Sequence, residues 1–313
     1  MMQLYRFDLQ LKSAFATPPK GDTLFGQLCW MIVRTFGENK LNELLEGYTN
    51  DNPFMVVSDF LPSNHFQLPP IPRWMIDESE FQIAERKRLK NLVMIDIETL
   101  VSNNYRLDNH LLSTAKDKND FLPSEEIQMR VTINRETGTT GSGFDPFANV
   151  RFEYGESSVV ALYILLDIER LADADVHSLL DLLGKTGFGK DATIGRGQFG
   201  IISATPVIWD YANANGCITL SPSVLTQSNI EAFYEPFTRW GKHGDHLANT
   251  HSIWKNPILM ADTFACILRS NTMPYVGKGL GGDGSISHTM PQTVHQGYAI
   301  GLPINVVLKS SPQ

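Results

Sequence analysis

Cysteine is scarce in this 313-residue chain: Cys29, Cys217 and Cys266 are far apart and form no CxxC pair. That spacing excludes a disulfide framework and a local zinc half-site, and leaves burial as the expected role of each. No apolar run approaches the ~20 residues of a membrane-spanning helix. The opening MMQLYRFDLQLK alternates apolar and polar residues where a signal peptide has an apolar block, so a cytoplasmic chain is expected, with no membrane partner. Positive charge is also short, with 26 Lys and Arg against 34 Asp and Glu, a formal net charge of -8. Proteins that wrap nucleic acid by bulk electrostatics are basic overall, so any such contact here must be local. No repeat of fixed period and no low-complexity tract is present.

What is present is an ordinary globular balance, 42% apolar and 19% charged, and a length that predicts two domains. Tyr5, Phe7, Leu9 and Leu11 alternate with polar residues as in a half-buried strand. After TPPKGD, Asp22 is placed to cap a helix carrying Leu24, Leu28, Met31, Ile32 and Thr35, widened by Phe25 and Trp30 and ending near Gly37. A short helix around 41–46 follows, closed by Gly47. The proline-rich LPSNHFQLPPIPRW reads as extended or irregular. DESEFQIAERKRLKNL reads as a surface helix turning Phe81, Ile83, Leu89 and Leu92 inward. Two strand candidates, IQMRVTIN and VRFEYG, flank RETGTTGSGFDPFA, whose turn-forming residues suit a protruding hairpin arm. VVALYILLD then reads as a buried strand, followed by a helix on Val176, Leu179, Leu180 and Leu183 that Gly184 should close. The order suits an elaborated ferredoxin-like α+β domain over 1–205. From 206 to 313, short strand candidates at CITLS, ILMADTFACIL and INVVLK point to a second, more irregular domain.

Six glycines lie between Gly184 and Gly200, with Lys185, Lys190 and Arg196 against a single Asp191. GKTGFGK imitates a P-loop, but Asp191 stands where the magnesium-binding Ser or Thr belongs and the segment follows a helix, not a strand. Gly195, Gly197 and Gly200 satisfy GxGxxG, yet a strand-like QFGIIS follows where a dinucleotide fold needs a helix. Glycines let backbone N–H groups approach an anion closely. Together with the three cations and Phe188, this points to RNA, against the alternative of a turn that merely needs positive φ. His243, His246 and His251 lack metal-ligand spacing, so no metal is expected. His251 with Lys255 remains a weak candidate for phosphate contact or acid–base chemistry. His288 and His295 beside VGKGLGGDG have the same standing, and Lys278 of that loop joins the candidate RNA contacts.

TPPKGDTLFGQLCW, the NRETGTT arm, LGKTGFGKDATIGRGQFGI and GYAIGLPI together resemble the RAMP superfamily of CRISPR proteins. Within it they resemble the fourth-subunit family of the type III-A Csm effector complex. The resemblance implies two ferredoxin-like (RRM-like) domains and antiviral defence. It also implies docking to the large polymerase-like subunit and backbone RAMP subunits, and capture of the 5′ handle of the guide RNA (crRNA). It places Lys20, Gly21, Asp22 and Thr23 at a helix N-terminus beside the RNA, where free N–H groups favour phosphate. It assigns Asn134, Arg135, Thr137, Gly138 and Thr139 to an arm that interrupts the guide–target duplex. Lys185, Gly187, Phe188, Gly189, Lys190, Gly195, Arg196 and Gly197 would cradle the handle. No cofactor and no catalytic residue are implied. The alternatives are a metal-independent endoribonuclease using His251 and Tyr275, and, more weakly, a nucleotide hydrolase built on GKTGFGK.

Overall fold

The computed structural model describes residues 1–76, 90–140, 143, 145–154, 158–226, 231–244, 253–268 and 274–309. Strand β1 (Met2–Leu11) has the alternation its sequence predicts, with Phe7, Leu9 and Leu11 buried. It leads into helix α1 (Gly21–Phe36), which buries Leu24, Phe25, Leu28, Met31 and Ile32 and stops at Gly37, where φ is +90°. Each such side chain removed from water stabilises the fold by roughly 1.5–3 kcal/mol before the entropy of ordering it is counted. Helix α2 (Glu38–Leu45), β2 (Met55–Val57) and β3 (Leu61–Pro62) follow.

A long insertion then holds a small sheet of β4 (His65–Gln67), β5 (Leu92–Asp96) and β6 (Lys116–Asp117), and a hairpin of β7 (Ser124–Arg130) and β8 (Phe147–Glu153). Most of the surface helix expected over 77–92 lies outside the described residues, and Leu92 opens β5 instead. Strand β9 (Val159–Asp167), helix α3 (Asp173–Thr186) and β10 (Phe199–Val207) complete the first half.

The main sheet runs β10-β1-β9-β2, with β3 also on β9, and every pairing is antiparallel. Leaving aside α2 and the insertion between β2 and β9, these four strands with α1 and α3 read in chain order strand, helix, strand, strand, helix, strand. Gly184 does not end α3. It sits inside the helix because a Cβ there would lie 2.5 Å from the carbonyl oxygen of Phe199, and the helix runs on to Gly187.

The second half is built on β11 (Gly216–Thr219), β12 (Glu231–Phe233), β13 (Pro236–Arg239), β14 (Ile258–Ala261), β15 (Cys266–Leu268), β16 (Tyr275–Gly277), β17 (Leu280–Gly281), β18 (Val294–His295) and β19 (Tyr298–Ile304). Its main sheet is β12-β15-β11-β19-β16, and β13 pairs with β14. The described residues beyond Ile194 include no helix. The strand expected at INVVLK is instead the fully buried YAIGLPI, ending at Ile304.

One hydrophobic core spans both halves. Phe25 stacks on Tyr48 with ring centroids 4.9 Å apart, and Tyr298 of β19 meets Tyr48 edge-on at 5.4 Å. The Tyr298 hydroxyl donates to the carbonyl of Tyr48 at 2.8 Å. The Gln296 side chain pairs with the β2 backbone like an added strand residue, accepting from Val57 N–H at 2.9 Å and donating to its carbonyl at 2.8 Å. Cys217 and Cys266 are buried free thiols, as expected, whereas Cys29 is half-buried.

Candidate nucleic-acid interface

The N-terminus of α1 is already occupied by the protein itself. Asp59 accepts the Gly21 N–H at 2.8 Å, so a carboxylate stands where the sequence suggested a phosphate. Lys20 Nζ contacts Asp262 at 2.5 Å and Asp59 at 3.6 Å. Burial works against the Lys20 charge, but these two acids outweigh it and hold the pKa above its ordinary value. Asp22 is no cap either. The residue at the cap position is Lys20, and the buried Asp22 carboxylate instead receives both Arg239 Nε (2.6 Å) and Nη2 (2.7 Å). His295 Nε2 stands 3.4 Å from it, too long for a good hydrogen bond. Burial alone would raise the Asp22 pKa; His295 and Arg239 overcome that and hold it well below the carboxylate range. Thr23 Oγ1 donates to the Lys20 carbonyl. The expected RNA contacts Lys20, Gly21, Asp22 and Thr23 are thus knotted into a junction between the two halves.

The glycine loop begins at Gly187, because Gly184, Lys185 and Thr186 belong to α3. Two facing glycines let the loop close on itself. A Cβ on Gly187 would lie 2.4 Å from the Arg196 carbonyl oxygen, and one on Gly197 2.2 Å from that of Phe188, with φ at +91° and +70°. The N–H groups of Gly187, Phe188, Lys190, Ile194, Gly195, Arg196 and Gly197 all donate within the protein, so the loop is not an open cradle of amides. Phe188 is buried at 1% exposure against Phe15, so its ring serves the core and is not a stacking platform. Lys185 is exposed on α3 and pairs with Asp181 one turn earlier at 2.6 Å. What the loop presents outward is its crest, with Lys190, Thr193, Ile194 and Gly195 exposed.

The root of the arm hairpin docks on this loop. Cross-strand neighbours Gln128 and Asn149 of β7 and β8 face it, with Arg130 beside them. Asp191, held in the left-handed region at φ +65°, binds Arg130 at 2.7 Å and the Asn149 amide at 2.9 Å. Lys190 Nζ donates to Asn149 Oδ1, Arg196 reaches Gln128 at 3.4 Å and Glu153 at 4.0 Å, and Arg151 bridges Glu126 and Glu153. Sequence reasoning missed Arg130, Asn149, Arg151 and the linking role of Asp191. No local signal marked them: β7 and β8 carry a single arginine each, and only the docking of the hairpin brings them to a loop far along the chain. The opposite face of the hairpin is bare and apolar: Ile127, Met129, Val131 and Ile133 on one side, and Val150 from the partner strand, are all exposed. At the tip, Asn134 and Thr139 close a turn, with Gly138 N–H donating to the Asn134 carbonyl and Glu136 N–H to its side chain. Arg135 and Thr137 are exposed there.

The remaining candidates are dispersed. His246 and His251 lie outside the described residues. His243 is buried, contacts Ser287 Oγ at 2.7 Å, and has its pKa lowered by burial and by Lys255. Among the described residues no group of three side chains is placed to hold a metal. Lys278 is exposed in the β16–β17 turn. Tyr275 donates its hydroxyl to the Asp51 carbonyl, and burial raises its pKa. No described helix is long and apolar enough to cross a membrane. The P-loop reading fails on structure as well, since Gly184–Thr186 close a helix and a strand follows the loop.

No protein-family model and no curated protein matches the sequence. Solved structures do. A chain of the Csm3–Csm4 subcomplex of the type III-A CRISPR-Cas interference complex superposes with a TM-score of 0.60 at 14% identity, covering 97% of this chain and 99% of that one. A chain of the Csm1–Csm4 cassette solved with AMPPNP gives 0.56 at 16% identity, covering 99% and 100%, and the cassette with cA4 gives the same score. Csm4 is the component these assemblies share. The fold is Csm4-like. At 14–16% identity the likeness is one of topology and not of sequence.

Proposed function

We propose that the chain is a non-catalytic RNA-binding subunit of a type III-A CRISPR effector complex. In this reading it captures the 5′ handle of the guide RNA, docks the large polymerase-like subunit and a backbone RAMP subunit, and lays its arm beside the guide–target duplex. The full-length likeness to chains of the Csm1–Csm4 and Csm3–Csm4 assemblies supports the partners. The first half, with its strand order β10-β1-β9-β2, supports a ferredoxin-like unit.

The observation that carries the RNA reading is the docking of the arm root on the glycine loop. It gathers Lys190, Arg196, Arg130 and Arg151 onto one continuous surface in a chain that is otherwise acidic. Because seven of the loop amides already donate within the protein, phosphate recognition falls mainly to these side chains, which exchange amide and carboxylate partners for phosphate oxygens. A K190A/R196A double variant should lose most affinity for its guide RNA while keeping its melting temperature. For single-stranded RNA, removing one cation that neutralises a phosphate should flatten the dependence of log K on log salt by about 0.7. Unchanged affinity and slope would reject this surface as the handle site.

A further inference from the structure

The hairpin of β13 and β14 is apolar on both faces. On the inner face, Phe237, Ile258 and Met260 pack into a small core with Ile286. An antiparallel strand that turns its other face to water alternates apolar and polar residues. β14 does not: it reads Ile258, Leu259, Met260, Ala261. Leu259 lies opposite Thr238 and is 70% exposed. Two residues beyond Thr238, and so on the same face, Trp240 is 65% exposed. The pairing runs on past the strands, with His243 N–H donating to the Ile253 carbonyl at 2.8 Å and Lys255 N–H to the Gly241 carbonyl at 2.9 Å. It sets Trp254, 56% exposed, beside Lys242, whose ammonium stands 4.2 Å from the indole centroid. Leu259, Trp240, Lys242 and Trp254 thus form one outward strip.

Two indoles and a leucine left in water, on a hairpin whose other face is already packed, mark an interaction surface. The chemistry of the strip selects its partner. Single-stranded RNA takes bare rings in a basic groove, whereas this strip has one cation, placed over one of its rings, and Glu235 exposed beyond the Leu259 end. A second copy would bring a second net charge of -8. The complement is an apolar protein surface with a carboxylate for Lys242, on which tryptophans act as anchors. We propose that the outer face of β13 and β14 docks the large polymerase-like subunit, with Trp240 and Trp254 as its anchors. This rests on the reading of the chain as an effector-complex subunit with two protein partners. A backbone subunit that shares the guide RNA stands where the guide lies, at the glycine loop and arm. The strip has no residue in common with that surface, which leaves it to the large subunit.

The test titrates the full chain with the purified large subunit of the same complex by calorimetry. W240A and W254A should each weaken binding roughly 30-fold or more, the loss typical of an interface anchor. K242E should weaken it roughly 3- to 10-fold, and more at low salt than at high. All three side chains are exposed, so the melting temperatures should stay level. In the unsubstituted chain, hydroxyl-radical labelling of Trp240, Trp254 and Leu259 should be lost when the large subunit is added. W240A/W254A should keep guide-RNA affinity and K190A/R196A should keep large-subunit affinity, so the handle surface and this face fail separately. No binding of the large subunit by the native chain would overturn the docking reading itself. Native binding with wild-type affinity in both tryptophan variants, or with labelling unchanged, would overturn this face alone. So would variants that lose the backbone subunit, self-association or guide RNA in place of the large subunit.

Discussion

Gly197 and Gly195 stand in the same loop with the same left-handed backbone, yet they should respond differently to a side chain. Nothing lies within 4 Å of a Cβ on Gly195, so G195A should cost only the conformational strain, about 1–2 kcal/mol. At Gly197 the added carbon would stand 2.2 Å from the Phe188 carbonyl oxygen, so G197A should cost clearly more, about 2 kcal/mol beyond G195A. Urea titrations of the two variants check the ranking, and equal midpoints would show that the loop yields. Asp22 makes a second test at this scale. Its pKa is depressed in the fold, so its contribution is fully present above the ordinary value of 3.8 and is lost as pH falls below it. D22N, which leaves Arg239 buried beside a neutral amide, should be destabilised strongly at pH 7, by about 3–5 kcal/mol. The gap to the native chain should narrow as pH drops below 4. A gap constant from pH 7 to pH 3 would remove Asp22 as the titrating group. The sequence could not reveal this role: a polar residue opening a helix reads as a cap, and the partner lies 217 residues away. Phe188 misled for a related reason. Its basic neighbours suggest a stacking ring, while the contacts that bury it come from Phe15 of another segment.

Among the elements, those whose signal is local were legible. The alternation in β1, the apolar stripe of α1 with its stop at Gly37, the run VVALYILLD and the two strands around the arm all lie close to where the pattern puts them. Elements governed by distant neighbours were not. YAIGLPI contains Gly301 and Pro303, which argue against a central strand. It forms one because β16 reaches only as far as Tyr298–Ile300 along it, so at Pro303 no N–H is needed on that edge. The arm root is the element whose behaviour is easiest to test. D191N keeps the shape and the tolerance of a left-handed backbone but removes the charge that holds Arg130. Amide exchange over Ser124–Arg130 and Phe147–Glu153 should then quicken roughly tenfold, while β1 and β9 stay protected. Unchanged exchange in the hairpin would mean that the remaining contacts suffice to dock it.

At the scale of the whole molecule, the boundary drawn after residue 205 marks a change in sequence texture, yet the core does not stop there. β10 carries on to Val207, and residues from β11, β15 and β19 share a hydrophobic cluster with α1, α2 and β9. The junction is polar as well as apolar: Asp22 depends on Arg239, Lys20 on Asp262, the β2 backbone on Gln296 and Tyr48 on Tyr298. A chain cut after Val207 would leave the Asp22 carboxylate without its guanidinium, a destabilisation of about 3–5 kcal/mol when a buried pair is broken. It would also uncover Tyr48 and Phe25 and strand the Val57 N–H and carbonyl. Against a typical total stability of about 5–15 kcal/mol, these deficits leave little or nothing. The 1–207 fragment is therefore expected to show no cooperative thermal transition by circular dichroism, and the full chain to melt in one step with coincident far-UV and tryptophan signals. A cooperative melt of the fragment alone would show that the first half carries its own stability and that the shared core is a contact between finished domains.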